Sequence, residues 1–89
     1  MRITGKAGSR KVWVDGTEVQ VPANAWLKAG FGWGYSGHRP HLLAEAILAL
    51  FNPPEVATDR ASWFVAAHVS EWPRGDFDAD VPATHLDWS

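Results

Sequence analysis

The run Lys11-Val12-Trp13-Val14-Asp15-Gly16-Thr17-Glu18-Val19-Gln20-Val21 constrains the fold more than any other stretch of the chain. Two segments of alternating apolar and polar residues, joined by Asp-Gly, specify a β-hairpin. The tight turn that matches strand twist needs positive φ at both central positions, and Asp-Gly supplies it cheaply. Counting outward from the turn pairs Val14 with Thr17, Trp13 with Glu18 and Val12 with Val19. Because side chains alternate along a strand, Val12, Val14, Val19 and Val21 share the face turned to the core, and Trp13 stands on the other face with Lys11, Glu18 and Gln20.

The rest of the chain must cover that valine face. Pro22 ends the second strand, and residues 23–30 read as a connection anchored by Trp26 and Leu27. Phe31-Gly32-Trp33-Gly34-Tyr35 alternates again, predicting a third strand over 31–35 with three rings on one face and a bare glycine face on the other. Such a face marks the close approach of a helix, another backbone or a ligand. Leu42, Leu43, Ala46, Ile47, Leu50 and Phe51 recur at helical spacing and predict a helix over 38–51, stopped by Asn52-Pro53-Pro54. A second helix, beginning at Pro54 or at a Thr58 cap, is expected over about 56–71. Residues 82–88 form a short helical turn capped by Asp80 and docking through Leu86 and Trp88. The expected core is Val12, Val14, Val19, Phe31, Trp33, Leu43, Ile47, Leu50, Phe64 and Val69.

Eighty-nine residues make one small domain, with a thin core and little room for an enclosed active site. The absence of cysteine removes disulfides, thiolate nucleophiles and Cys-based zinc sites, and fits a reducing cytoplasm. No segment is apolar enough for a signal peptide or a membrane span, so a soluble, cytoplasmic protein is expected. Six tryptophans make aromatic rings a large part of the core.

Catalytic motifs are missing. His38 and His41 lack a third ligand for a metal, and His68 and His85 read as core-edge and tail histidines. Gly34-Tyr35-Ser36-Gly37 breaks the nucleophile-elbow spacing, and the glycines of 30–34 lack the Walker lysine and the dinucleotide spacing. The expectation is no enzyme, no cofactor and no metal.

Charge is more informative. The net −2 hides six bases against two acids in residues 1–44 and two bases against eight acids in residues 45–89. Arg2, Lys6, Arg10 and Lys11 give residues 1–10 and the hairpin start the look of a basic arm beside Trp13, suited to backbone phosphates and a stacked base. Residues 73–89 read as an acidic, aromatic segment. Glu71, Asp76, Asp78, Asp80 and Asp87 stand among Trp72, Phe77 and Trp88, and with Trp13 these rings are the expected aromatic anchors. Carboxylates interleaved with rings can engage a Lys/Arg-lined surface that normally holds nucleic acid. They can equally satisfy the basic arm in cis.

Phe31-x-Trp33-Gly34-Tyr35-Ser36-Gly37-x-x-Pro40-x-x-Leu43-Ala44-x-Ala46-Ile47-Leu48, preceded by the Val-Trp-Val-Asp-Gly hairpin, resembles a family of small uncharacterised domains carried by phages, plasmids and other bacterial mobile elements. The resemblance covers residues 11–88 in outline. The acidic tail is more pronounced and the second helix more apolar than in that family, and no catalytic residue carries over. It implies a binding protein of the anti-CRISPR kind, which disables a host defence complex through one complementary surface.

Together these readings predict an α+β domain over residues 1–89, a small antiparallel sheet packed against two helices with a short C-terminal helical turn. The expected function is a non-enzymatic protein-binding module that occludes a basic surface of a larger bacterial protein or ribonucleoprotein complex. The alternative is a small nucleic-acid-binding module using the basic arm and hairpin. No membrane partner is expected.

Overall fold

A computed structural model describes residues 1–20 and 31–88. Val21 and the connection carrying Trp26 and Leu27 lie outside the described residues. The hairpin forms in the predicted register. β2 (Lys11–Val14) pairs antiparallel with β3 (Thr17–Glu18), Trp13 opposite Glu18 and Val14 opposite Thr17. The Val19 amide extends the pairing to the Val12 carbonyl at 2.8 Å. Asp15 (φ 49°) and Gly16 (φ 83°) both take positive φ, as the turn requires.

The sheet is larger than the sequence predicts and is built from different partners. Residues read as a basic arm form β1 (Arg2–Lys6), an interior strand paired on one side with β2 and on the other with β4 (Phe77–Asp80), so the strand order is β3-β2-β1-β4. All three pairings are antiparallel. Ile3, Gly5, Val12, Val14 and Val19 form the buried face.

Residues 31–35 do not form the predicted third strand. Phe31 and Trp33 are buried as expected, but the backbone is used elsewhere: Phe31 N–H donates to the Arg10 carbonyl, Gly34 takes φ 83°, and its N–H donates to the Val69 carbonyl. A ladder would need that donor, and β1's second edge is already occupied by β4.

α1 (His38–Leu48) and α2 (Pro54–Ala67) lie against each other and share one hydrophobic core with the sheet. α1 ends earlier than periodicity suggests. Leu50 and Phe51 donate to the Ile47 and Leu48 carbonyls in a tightened last turn, which carries Leu50 off the apolar stripe and leaves it 47% exposed. Leu50 is therefore not a core residue; the other nine expected core residues are buried. α2 begins at Pro54, the first-turn position where the missing proline N–H costs nothing. It breaks at His68 (φ −132°, ψ −64°), and Val69–Glu71 continue as a separate 3₁₀ turn rather than as α-helix. α3 (Ala83–Leu86) is the expected C-terminal turn, preceded by Pro82 rather than capped by Asp80. Leu86 is fully buried.

Candidate protein-binding surface

β4 decides how the charged segments are used. Its alternation buries Phe77 and turns Asp78 and Asp80 to solvent at one edge of the sheet. Thr4 lies opposite both Trp13 and Asp78, so Glu18, Trp13, Thr4 and Asp78 form one row across the outer face. Trp13 is half-buried in that row.

Acidic and basic segments meet in cis. Arg2 Nε donates to both Asp78 oxygens, at 2.9 and 3.0 Å, and its Nη2 adds a further short bond. Lys6 Nζ lies 3.6 Å from Asp76 Oδ2, and Asp76 Oδ1 accepts the Ala7 N–H at 2.8 Å. The Met1 ammonium lies 3.4 Å from Asp80 Oδ1 and donates to the Val81 carbonyl. The hydrogen bonds from Arg2 hold the Asp78 carboxyl below its ordinary range, and Asp78 raises the Arg2 guanidinium in turn. All three carboxylates remain wet: the side chains of Asp76, Asp78 and Asp80 are 59%, 52% and 93% exposed.

The outcome is an ordered carboxylate column, not a flexible tail. Alternate residues of a strand repeat at about 6.8 Å, so β4 fixes its carboxylates at regular intervals along an edge. Glu71 and Asp87 are exposed but stand elsewhere, at the end of the 3₁₀ turn and after α3. The basic arm is not a free cationic patch, since Arg2 and Lys6 are engaged with β4 and the Arg10 guanidinium sits 5.8 Å from the centroid of Trp33.

Two of the expected aromatic anchors are core residues. Trp72 and Phe77 are 8% and 6% exposed and stack on each other at 4.3 Å and 18°. Trp33 meets Phe77 edge-on at 5.1 Å, and its indole N–H donates to the Gly75 carbonyl. These rings fasten β4 to the core. Of the anchors, Trp13 and Trp88 are half-buried; Trp63, which the sequence reading passed over, is 40% exposed. It lies off the Ala57, Ala61, Phe64 stripe of α2, and that offset was the available signal.

The glycine face of 31–37 is packed. A Cβ at Gly32 would come within 2.6 Å of the Tyr35 hydroxyl and 3.0 Å of Arg39 Cβ, and one at Gly34 within 2.9 Å of the Trp72 carbonyl. The chain's own residues fill the space a ligand would need. In the cleft between α1 and α2, His41 Nε2 is bonded to Glu45 Oε1 at 2.8 Å and makes no hydrogen bond to Ser36 or Ser62, the two hydroxyls beside it. Among the described residues no group of three or more His, Asp or Glu side chains could hold a metal ion, and no helix is long and apolar enough to cross a membrane.

A family model described as a family of unknown function (DUF6166) matches residues 3–87. No curated protein and no solved structure matches the chain.

Proposed function

The chain belongs to DUF6166, a family of unknown function, and we propose that this member is a non-enzymatic protein-binding module whose contact surface is the β4 edge and outer sheet face. The partner is a larger bacterial protein or ribonucleoprotein complex with a basic, normally nucleic-acid-binding surface. In this reading the chain is a mobile-element inhibitor of the anti-CRISPR kind that occludes that surface. The single observation that supports it is the exposed run Asp76, Asp78 and Asp80, of which Asp78 and Asp80 are held in register on an edge strand and Asp76, just before it, accepts the Ala7 N–H. Preorganised charges lose little freedom on docking. Their cis partners are exposed and solvent-screened, so a partner's arginines and lysines can replace them at small cost. Trp13, in the same row as Asp78, supplies apolar contact beside the charged rim.

The test uses the Asp76→Asn, Asp78→Asn, Asp80→Asn triple variant, which keeps acceptor oxygens for Arg2, Lys6 and the Ala7 N–H while removing the charge. A complex captured by the wild-type protein from bacterial lysate carrying defence systems is loaded with its nucleic acid and titrated between low and high salt. The expected result is that the wild type displaces the nucleic acid with a steep salt dependence, and the variant associates more slowly with a flatter one. Equal displacement by both proteins at every salt concentration refutes the reading. If the wild type instead binds DNA or RNA directly at low salt, and loses it on Arg10→Glu with Lys11→Glu, the nucleic-acid-binding alternative replaces it.

A further inference from the structure

The C-terminal residues are clasped to α2 by an imidazole pair that the β4 column does not involve. His68, at the end of α2, and His85, on α3, face each other with Nε2 and Nδ1 3.0 Å apart. The rings cannot swing aside freely. Trp63 meets His68, His85 and Trp88 edge-on at 6.0, 5.1 and 5.3 Å, and Phe64 lies 5.0 Å from His68. Behind the pair, the buried Asn52 side chain donates to the Leu48 and Leu86 carbonyls and accepts the Trp88 N–H. The Trp88 indole N–H donates to the His85 carbonyl.

We propose that residues 83–88 form an acid-sensitive latch, closed while His68 and His85 share a hydrogen bond and opened when both imidazoles are protonated. The neutral pair has one N–H and one lone pair between the facing nitrogens. One added proton is accommodated, because an imidazolium still donates to the remaining lone pair. A second proton leaves two N–H groups and two positive charges facing each other. Beside the clasp stands Arg60, whose guanidinium lies 4.5 Å from the Trp88 ring centroid, with its neighbour Asp59 at 4.0 Å; along the same elements Asp87 follows α3 and Glu71 closes the 3₁₀ turn. Arg60 adds a third cation to the acid form.

Linkage gives the same direction. Burial first, and the charge on His85 second, hold the His68 imidazole below its ordinary 6.5. The open state therefore takes up protons more readily than the closed one. The latch is fully closed above about pH 6.5 and loosens as pH falls below it.

The test is ¹H–¹⁵N NMR of the full chain between pH 7.5 and 5. The Trp88 indole and amide report on the clasp, and the Val12 and Val19 amides report on the sheet. The expected result is that the Trp88 signals progressively lose exchange protection as pH falls, while the sheet amides hold. His68→Phe keeps a ring against Trp63 and Phe64 without a titrating group, and His85→Gln keeps hydrogen-bonding capacity. If closed at pH 7.5, His68→Phe should lose the Trp88 response to acid, and His85→Gln should show a smaller one, because the burial of His68 remains. Unchanged Trp88 signals in the wild type overturn the proposal, as does an undiminished acid response in a closed variant. Sheet amides that open together with Trp88 overturn it too, because the clasp then does not act on its own.

Discussion

Replacing Gly5 by alanine tests how β4 is held. The added Cβ would lie 2.2 Å from Cε1, 2.7 Å from Cδ1 and 3.0 Å from Cζ of Phe77. Carbon atoms rest at about 3.5–4.0 Å, so the ring must retreat by more than an ångström. It cannot do so freely, being stacked on Trp72 and edge-on to Trp33. Overpacking of this kind costs about 1–3 kcal/mol, and the displaced ring geometry about 0.5–1.5 kcal/mol per aromatic pair. The reduced freedom of the unfolded chain returns about 0.4–1 kcal/mol. The expected net loss is about 1–5 kcal/mol, centred near 3 kcal/mol, a large part of the stability of so small a domain. Urea denaturation followed by circular dichroism at pH 7.5 should show a lower midpoint at an unchanged slope. Phe77→Leu vacates the same space, so adding Gly5→Ala to it should cost at least about 1 kcal/mol less than adding it to the wild type. A Gly5→Ala variant within about 0.5 kcal/mol of wild type, or strict additivity with Phe77→Leu, would refute the packing argument.

Ile47→Ala and Phe64→Ala should each cost about 2–5 kcal/mol by denaturant titration, whereas Leu50→Ala, already half in solvent, should cost under about 1 kcal/mol. Asn52→Ala leaves the Leu48 and Leu86 carbonyls and the Trp88 N–H without their side-chain partner, and should cost about 2–4 kcal/mol and expose the Trp88 amide to exchange. Across pH, stability should be flat above about 7 and fall as His68 begins to protonate below its ordinary 6.5. A second fall belongs to Asp78: its folded carboxyl is held low, so the pair with Arg2 contributes above the ordinary 3.8 and is lost as pH drops through the lower folded value. Asp78→Asn should flatten that acid limb and leave the fall that belongs to His68 in place.

What the sequence disclosed and what it hid divide along sequence distance. The Asp-Gly turn, its register, the valine face and the proline stop after α1 are dictated by residues within a few positions of one another, and the structure has them. β1 and β4 are dictated by each other. Arg2-Ile3-Thr4-Gly5-Lys6 shows one apolar residue and a strand-weakening glycine, and reads as a polar arm until Phe77, some seventy residues later, fills the space above Gly5. Phe77-Asp78-Ala79-Asp80 likewise reads as acidic linker until β1 supplies its partners. The same blindness made Trp72 and Phe77 look like surface anchors. The charge asymmetry between the two halves was legible, and its cis resolution was one of two readings the sequence left open.

Pairing β1, the first strand in the chain, with β4 also sets an order of events. The hairpin and the α1–α2 pair close over short loops, but β1 finds β4 only across a loop of about seventy residues, the kind of contact that forms late. On a ribosome adding about 5–20 residues per second, β1 waits roughly 4–15 s for β4 to be synthesised. Throughout that interval one side of an interior strand is an unsatisfied row of amides and carbonyls beside an uncovered Ile3, open to any extended chain nearby. A ribosome paused before residue 77 would therefore hold a nascent chain with its helices and hairpin in reach but its sheet unsealed, which makes the interval before β4 emerges the time at which this chain is most prone to aggregate.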